Sequence, residues 1–424
     1  MATAQADTVT EALGGLLDPA SRADPYPLYA RIREAGPTWV EDFSALVVAG
    51  FRDCEVLLRD PRMSSDRAHD RRAWAEDVLP QDAPSSVLEP WFVSSDPPDH
   101  TRLRRLVSKA FTARTVAQLE PRIADLVDDL LDGLPDRAAE RGQMDVVADL
   151  AYPLPITVIC EILGVPVADQ PLFRDWSVRL TRLVDGFGVP WGGESLPDWL
   201  LADIELHGYV QELIAGRRRN PGDDLISKLI AVEEEGDRLT RDELASIVVL
   251  LLLAGHETTV NLIAAGTLAL LRNPRHLAVL RHDPGLAEPT VEETLRYDPP
   301  VQLTQRVLAE DAEICGVPLS RGSQVFFLLA AAQRDPEVFP QPDTFDPTRH
   351  DIQHLAFAAG PHYCLGAPLA RLEARLTLTR FSQRMTEPAL AADPPPYREH
   401  INLRGPSTMP VNYTSIAPRS RPWR

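Results

Sequence analysis

Hydrophobic residues recur at helical spacing in several long segments of this chain, and short β-branched runs lie between them. In the helix-like segments apolar residues fall three or four positions apart, and these segments are 116–133, 145–163, 200–217, 240–271 and 369–381. The strand-like runs are rich in β-branched residues, and they lie near 45–49, 312–319, 323–329 and 409–413. The pattern therefore predicts a mainly α fold with small β-sheets.

The segment 240–271 carries the strongest helical signal. Thr240 and Glu243 form a capping-box pattern at its start, and Asn273 and Pro274 provide a stop signal at its end. About 30 residues rising ~1.5 Å each predict one helix of roughly 45 Å.

Apolar residues cover almost every face of this predicted helix, as in the run 247–253, which raises the alternative of a membrane span. His256 and Glu257 interrupt the apolar run after about a dozen residues, whereas a bilayer requires about 20. We therefore expect a helix buried in a protein core.

Length and composition favour one large globular unit. The chain has 424 residues, 44% of them hydrophobic and 25% charged, without a linker, repeat or low-complexity block, so a single domain over 1–424 is predicted. Residues 1–18 lack the apolar length and basic start of a signal or membrane anchor, and we expect a flexible N-terminus and a cytoplasmic protein. The net charge of −19 argues against nucleic acid and anionic membrane surfaces as partners.

The cysteines differ in their sequence context. Cys54, Cys160, Cys315 and Cys364 have no paired spacing, and a chain of this length folds without disulfides, so reduced thiols are expected. Cys364 lies in a glycine-bounded loop, and this loop is the strongest chemical signal in the chain.

The loop reads Phe-Ala-Ala-Gly-Pro-His-Tyr-Cys-Leu-Gly over 357–366. Gly360 and Gly366 permit backbone conformations that are closed to other residues, and the helix predicted at 369–381 supplies an N-terminal dipole and free amide hydrogens that favour a thiolate at Cys364. A single thiolate suits haem iron better than zinc or an iron–sulfur cluster, which take several ligands from the protein. The alternative for such a cysteine is a buried structural residue.

The pattern F-x-x-G-x-H-x-C-x-G resembles the haem loop of the cytochrome P450 family at every fixed position, and that family uses a cysteine thiolate as an iron ligand. The resemblance implies a cytochrome P450 fold with a long oxygen-binding helix over haem b. It also implies that Cys364 is the metal ligand and that Phe357, His362 and Gly366 contact the cofactor. Many relatives carry glycine where this chain has Ala358, so this residue is expected to affect the fine tuning of the thiolate.

The middle of the long predicted helix resembles the oxygen-binding helix of the same family. The small residues Ala254 and Gly255 let a group approach the helix backbone, and the resemblance assigns them to the cofactor site. It makes Thr258 the alcohol and Glu257 the acid that deliver protons during dioxygen activation. The alternative is a helix kink at which both side chains are satisfied. His256 is expected to be a packed or substrate-side histidine, not an iron ligand.

Further residues resemble the family's contacts with the haem propionates. His100 and Arg104 are four positions apart and share one helix face. Arg306 resembles a third propionate contact, and His362 matches a fourth.

Arg102, Arg105 and Lys109 lie on a different face of the same segment, where they are expected to offer a basic patch to an acidic electron-transfer partner. The alternative is a solvated helix face. Because the chain has no nucleotide-binding motif and no room for a flavin domain, electrons are expected from a ferredoxin and an NAD(P)H-dependent ferredoxin reductase.

Glu293 and Arg296 form an E-x-x-R element, and Arg349 resembles the third member of the family's buried ionic cluster. One Glu/Arg pair at this spacing is commonplace. It supports the resemblance only because it lies between the predicted oxygen-binding helix and the cysteine loop. These three residues are expected to support the loop and not to act as catalysts.

The resemblance implies a monooxygenase that inserts one oxygen atom from O2 into a hydrophobic organic substrate by hydroxylation or epoxidation. A peroxide-driven haem-thiolate oxidase and a non-catalytic haem sensor are the alternatives, and Glu257 with Thr258 favours the monooxygenase. Of 43 basic residues only Lys109 and Lys228 are lysine, a bias typical of a GC-rich genome. Together with the His-Glu-Thr-Thr run, this bias favours tailoring of a polyketide, macrolide or terpenoid in antibiotic biosynthesis over turnover of a steroid or fatty acid. A monomeric enzyme is expected.

The substrate pocket is expected to be apolar. By resemblance it draws on Trp74, Trp91, Phe92, Phe187, Trp191, Trp199, Leu253, Val301, Leu303 and the turn at 401–403. The alternative for each of these residues is a place in the hydrophobic core.

Overall fold

The computed structural model describes residues 2–66, 84–87, 89, 91–134, 142–185, 197–234 and 237–419. The chain forms two compact units. The first comprises Met1–Asp60, Ala117–Leu154 and Thr258–Arg424, and the second comprises Pro61–Val116 and Pro155–Glu257. The boundary between Glu257 and Thr258 falls inside the longest helix, and the single domain over 1–424 stays a prediction.

Helices dominate the part of the chain that the structure describes. Their bounds are α1 Ala2–Leu17, α2 Tyr26–Ala35, α3 Phe51–Leu57, α4 Asp99–Ala110, α5 Ala113–Ala117, α6 Glu120–Asp132, α7 Pro153–Leu163, α8 Gln170–Asp185, α9 Asp198–Arg219, α10 Leu225–Ala231, α11 Arg241–Arg272, α12 Pro274–His282, α13 Ala287–Tyr297, α14 Leu329–Ala332 and α15 Ala367–Arg384. The helices predicted at 200–217, 240–271 and 369–381 are confirmed as α9, α11 and α15.

The strands are short. Their bounds are β1 Thr38–Val40, β2 Ala45–Val48, β3 Met63–Ser64, β4 Gln143–Asp145, β5 Glu233–Glu234, β6 Asp237–Arg238, β7 Thr304–Leu308, β8 Ala312–Ile314, β9 Val317–Leu319, β10 Gln324–Phe327, β11 Met385–Thr386, β12 Ala389–Leu390, β13 Pro410–Asn412 and β14 Ser415–Ile416. The predicted mainly α fold with small β-sheets is therefore confirmed.

In the first unit, strand β2 lies inside a sheet. It pairs antiparallel with β1 and parallel with β10, and β10 pairs antiparallel with β7. All four residues of Ala45–Val48 are buried, which explains why this strand is a continuous apolar run and not an alternating one. Strands β8 and β9 form a hairpin that turns at Cys315 and Gly316, where φ is 50° and 78°.

Two predicted helices are divided by short irregular segments. The segment 145–163 begins at the last residue of β4 and continues as a π-helical turn and helix α7, whose first residue is Pro153. The segment 116–133 likewise divides into the end of α5 and helix α6, with Pro121 in the first turn of α6. Proline lacks a backbone N–H and suits the first turn of a helix, so these two prolines mark helix starts that apolar spacing alone does not reveal.

The N-terminal segment 1–18 was expected to be flexible, and that expectation is wrong for most of it. Ala2–Leu17 forms helix α1, and Val9, Ala12 and Leu16 are at most 4% exposed. These three residues are three and four positions apart, so they form one buried stripe along the helix. The stripe is too short to stand out in a sequence window.

Helix α11 begins as its sequence predicts. The Thr240 hydroxyl accepts a hydrogen bond of 3.1 Å from the Glu243 amide, and the Glu243 carboxylate accepts one of 2.8 Å from the Thr240 amide. This reciprocal pair is the predicted capping box. By length and composition α11 could cross a membrane, but 78% of its most apolar window is buried inside the protein. The predicted buried core helix is therefore confirmed.

Candidate active site

The Cys364 loop lies in the first unit, and hydrogen bonds between its own backbone groups fix its conformation. The Cys364 amide donates a hydrogen bond of 3.0 Å to the carbonyl of Phe357, and the Tyr363 amide donates one of 3.1 Å to Gly360. Helix α15 begins three residues after Cys364, with Gly366 as its N-cap. The half-buried Cys364 therefore lies just before the N-terminal end of α15, where the helix dipole stabilises negative charge.

The two glycines that bound the loop have different roles. Gly360 has φ of 71°, and a Cβ atom added there would lie 2.6 Å from the carbonyl oxygen of Leu58, so the predicted need for glycine is confirmed. Gly366 has φ of −80° and ψ of 0°, which any residue adopts, so the same prediction is wrong for Gly366. Its added Cβ would lie 3.9 Å from the sulfur of Cys364, and glycine therefore leaves space beside that atom.

Ala358 occupies a backbone conformation that glycine adopts more easily. Its φ is 56°, in the left-handed region that few residues with a side chain enter. Its amide donates a hydrogen bond of 2.8 Å to the carbonyl of Leu355, which helps to fix this turn. The conformation explains why glycine suits this position of the loop.

The middle of helix α11 is open on one face. Ala254 is exposed and Gly255 and Thr258 are half-buried, whereas most of the helix around them is buried. Thr258 lies four positions after Ala254 and three after Gly255, so it adjoins both of them on the helix surface. The helix continues through them without a break. A buried helix with an accessible small-residue stripe can receive a flat group or a small molecule against its backbone.

His256 lies next to this stripe and is fully buried. Its Nδ1 atom lies 3.0 Å from the hydroxyl oxygen of Ser177 on helix α8 and 3.9 Å from Oε1 of Glu257. Glu257 is itself only 5% exposed. Of the two expected positions, packed or substrate-side, burial and the Ser177 contact support the packed one. Ser177 is a partner that the sequence did not indicate, because it is 79 residues away.

The residues expected at the haem propionates lie on regular elements. In the second unit, His100 on α4 is 2% exposed, and Arg104 follows one turn later and is half-buried. In the first unit, Arg306 on β7 is 7% exposed, and its Nη1 atom donates to the carbonyl of Gln305 at 2.7 Å. His362 lies in the cysteine loop and is half-buried. Binding of the propionates by these four residues stays a prediction.

Two of the three residues of the predicted basic patch on α4 have acidic partners within the protein, and the role of the patch in binding an electron-transfer partner stays a prediction. Arg102 donates to the carboxylate of Glu243 and lies 3.4 Å from Asp237, while Arg105 lies 3.7 Å from Asp237. Both arginines are thus engaged in ion pairs within the second unit. The carboxylates come from β6 and the first turn of α11, more than 130 residues away along the chain, so sequence spacing on α4 could not reveal them.

The ionic cluster around Glu293 matches its prediction. Arg296 donates two hydrogen bonds of 2.7 Å to the Glu293 carboxylate, and Arg349 donates a third of 3.2 Å. Glu293 and Arg296 are 0% exposed. Arg296 also donates to the carbonyls of Gln333 and Pro342, so the cluster joins α13 to the segments that precede the cysteine loop in sequence.

A second ionic cluster touches the loop and has no counterpart in the sequence prediction. Glu292, the neighbour of Glu293, accepts hydrogen bonds from Arg371 of α15 and lies 3.0 Å from Nε2 of His354. Adjacent glutamates in a helix point in different directions, so Glu292 cannot share the partners of Glu293. The identity of the residues that bind Glu292 depends on the tertiary fold.

Several residues expected at the substrate pocket lie outside the described residues, namely Trp74, Phe187 and Trp191. Among the others, Phe92, Trp199, Leu253, Leu303 and Leu403 are all less than 9% exposed. Burial alone fits both a pocket wall and the core, so the pocket stays a prediction for each of them.

The ligand set at Cys364 fits haem. Within the described ranges, no group of three or more His, Cys, Asp or Glu residues is arranged to hold a metal ion. Cys364 would therefore suit a metal that arrives with most of its ligands, as haem iron does, and would supply the single thiolate that haem iron takes from the protein.

Comparison with known proteins gives the family. The cytochrome P450 family model matches residues 91–284 and 285–400. The chain is 41% identical over 399 residues to the cytochrome P450 monooxygenase PikC of Streptomyces venezuelae, covering 92% of this chain and 91% of that protein. It is also 41% identical over 407 residues to the vitamin D(3) 25-hydroxylase of Pseudonocardia autotrophica, covering 94% and 95%.

A solved structure agrees with these matches. Ligand-free CYP164A2 of Mycobacterium smegmatis superposes with a TM-score of 0.84 at 45% identity, covering 95% of this chain and 99% of that chain. The resemblance drawn from the cysteine loop is therefore confirmed. The chain belongs to the cytochrome P450 family of monooxygenases, whose cofactor is haem b.

Proposed function

We propose that this P450 uses electrons from a ferredoxin and its NAD(P)H-dependent reductase to insert one oxygen atom from O2 into a bulky hydrophobic substrate. The reaction is a hydroxylation or epoxidation of a polyketide, macrolide or terpenoid in a cytoplasmic pathway of antibiotic biosynthesis. When bound, haem b supplies an iron that accepts electrons and activates dioxygen, and its cysteine thiolate favours cleavage of the O–O bond.

The protein's own residues hold the cofactor and deliver protons. Cys364 supplies the thiolate, and His100, Arg104, Arg306 and His362 supply positive charge and hydrogen-bond donors for the propionate carboxylates. Phe357 and Gly366 shape the loop around the sulfur.

The observation that carries the proposal is the open stripe of helix α11. Ala254 is exposed and Gly255 half-buried, which leaves room against the helix backbone, and Thr258 presents a hydroxyl on the same face. Glu257 lies two positions after Gly255 and is 5% exposed, which places its carboxyl group where bulk water has little access. This acid and alcohol favour the monooxygenase over a haem sensor, which has no use for proton delivery.

The substrate class rests on two lines of support. The residues proposed for the pocket are apolar or aromatic, as expected for a hydrophobic ligand. One relative is named as a vitamin D(3) hydroxylase, and such a molecule is large and mostly apolar. The screen for a substrate therefore combines vitamin D3 with macrolides and terpenoids, and a low-spin to high-spin change in the haem spectrum identifies a compound that binds.

Thr258→Ala tests the proposal. With ferredoxin, reductase and a compound that gives the spin change, this variant is expected to consume NADPH at a comparable rate but to divert at least half of the electrons to hydrogen peroxide. Thr259→Ala is the matched control, since Thr259 is the next residue and is 3% exposed. If Thr258→Ala stays as coupled as the wild type, Thr258 has no part in proton delivery. Turnover that needs peroxide and ignores ferredoxin would instead identify a peroxide-driven oxidase.

A further inference from the structure

Phe357 connects the backbone of the cysteine loop to an aromatic cluster. Its carbonyl accepts the hydrogen bond from the Cys364 amide. Its ring lies 6.2 Å from the ring of Tyr363 and 5.7 Å from that of His354, measured between centroids. A displacement of Phe357 therefore reaches Cys364 through one hydrogen bond.

Arg371 contacts two members of this cluster. The guanidinium carbon lies 4.6 Å from the centroid of the Phe357 ring, within the range of a cation–π interaction. Its Nη1 atom donates a hydrogen bond of 3.1 Å to the hydroxyl of Tyr363. Arg371 lies on α15, about two turns after Cys364. Its positive charge therefore contacts Phe357 and Tyr363, two loop residues that precede Cys364 in sequence.

Glu292 neutralises this cation. Its carboxylate accepts two hydrogen bonds from Arg371, of 2.6 and 2.9 Å, in the bidentate geometry that fixes a guanidinium plane. The side chains of Glu292 and Arg371 are 22% and 31% exposed, and both line a cleft of about 400 Å³ in the first unit. Two hydrogen bonds hold the pair together, and its partial exposure leaves it within reach of solvent ions.

We propose that Arg371 is a positioning residue for the Cys364 loop, and that the charge balance between Arg371 and Glu292 sets the ease with which the iron held by Cys364 is reduced. The inference goes beyond the proposed function, because reduction of the iron requires neither a substrate nor turnover. Arg371 contacts Phe357 and Tyr363 of the loop, Glu292 contacts Arg371, and the pair acts on the iron through its charge.

Removing the charge of Glu292 and removing the charge of Arg371 are expected to shift the reduction potential in opposite directions. One-electron reduction adds a negative charge to the haem site. Glu292→Gln leaves the positive charge of Arg371 unbalanced, so the reduced form gains stability and the potential rises. Arg371→Gln leaves the negative charge of Glu292 unbalanced, so the potential falls. Loss of packing alone gives no reason for shifts of opposite sign.

The test is a spectroelectrochemical titration of the purified haem-loaded protein without substrate. Each single variant is expected to change the equilibrium constant for reduction threefold to tenfold in its own direction, where tenfold corresponds to 59 mV for one electron. Arg371→Lys keeps the charge and is expected to restore most of the potential. The double variant is expected to lie near the wild type, and raising the salt from 0.05 to 0.5 M is expected to reduce each shift.

A matched control lies one turn further along the same helix. Arg375 forms an ion pair of 2.8 Å with Glu120, and the two side chains are 35% and 47% exposed. Arg375→Gln and Glu120→Gln are expected to change the equilibrium constant less than twofold. The proposal is overturned if Glu292→Gln and Arg371→Gln shift the potential in the same direction, or by no more than the control pair. The carbon monoxide spectrum of each reduced variant checks that the thiolate is still bound; if Arg371→Gln loses it, Glu292→Gln and Arg371→Lys still decide the question.

Discussion

Arg296 donates two hydrogen bonds of 2.7 Å to Glu293, and both side chains are fully buried. Two ions removed from water are costly unless each satisfies the other. The Glu293 carboxylate also accepts the Asp346 amide at 2.8 Å and Arg349 at 3.2 Å. It therefore holds the segment that leads towards the cysteine loop by several bonds at once.

Glu293→Gln is expected to destabilise the protein by about 3–5 kcal/mol, because Arg296 would remain as a buried charge without its counter-ion. The shift of the urea unfolding midpoint measures this cost. Glu120→Gln is the control, since Glu120 is 47% exposed in its ion pair and exposed pairs contribute at most about 1 kcal/mol. Similar midpoints for the two variants would show that the cluster does not stabilise the fold.

Gly360→Ala is expected to prevent correct folding of the cysteine loop. The new Cβ atom would lie 2.6 Å from the carbonyl oxygen of Leu58 and 3.1 Å from the Cα of Arg59, with φ at 71°. Backbone atoms cannot move aside cheaply, and the left-handed conformation adds roughly 1–2 kcal/mol for alanine. Haem content after purification is expected to fall at least fivefold.

Gly366→Ala is the comparison for this change. Its φ of −80° suits alanine, and its nearest neighbour would be the Cys364 sulfur at 3.9 Å. The variant is expected to keep its haem while the thiolate spectrum shifts slightly. Equal loss of haem in both variants would contradict the difference between these two glycines.

Local patterns account for the parts of the structure that the sequence predicted. The capping box at Thr240 and Glu243 and the pair of Glu293 with Arg296 depend on residues three positions apart, so a short motif specifies the contact. Contacts between distant segments were not predictable in this way. Arg102 forms ion pairs with carboxylates more than 130 residues away, which the spacing of the basic residues on α4 could not indicate.

Backbone conformation was only partly readable from residue type. Glycine permits a left-handed conformation without requiring it, so Gly360 and Gly366 looked alike in the sequence although only Gly360 has a positive φ. Ala358 shows the reverse: it adopts a φ of 56°, which is typical of glycine, although its residue type gives no sign of it. The loop's hydrogen bonds select these conformations, and they form only in the folded protein.

The contact between Ser177 and His256 is expected to contribute to stability. A double-mutant cycle with Ser177→Ala and His256→Ala should give a coupling energy of about 0.5–1.5 kcal/mol, the net value of a buried hydrogen bond. Ser246→Ala supplies the control. Ser246 is a buried serine of α11, the helix of His256, and its hydroxyl donates a hydrogen bond of 3.3 Å to the carbonyl of Glu89. A coupling of Ser177 with His256 no larger than that of Ser246 with His256 would contradict the contact.

The Glu292 cluster predicts a loss of stability in acid. Burial opposes ionisation of Glu292, but hydrogen bonds from His354 and Arg371 outweigh it and lower its pKa from 4.5 to about 2. A carboxyl whose pKa is lower in the folded state stabilises the protein above its unfolded pKa, and this contribution is lost as the pH falls towards the folded pKa.

The difference in unfolding free energy between wild type and Glu292→Gln is therefore expected to be constant above about pH 5.5 and to shrink between about pH 4.5 and 2, by on the order of 2 kcal/mol. Urea unfolding at a series of pH values measures this difference. In an Arg371→Gln background the dependence should weaken, because one cause of the low pKa has been removed. A difference that stays constant down to pH 2.5 would show that Glu292 is not held ionised by its partners.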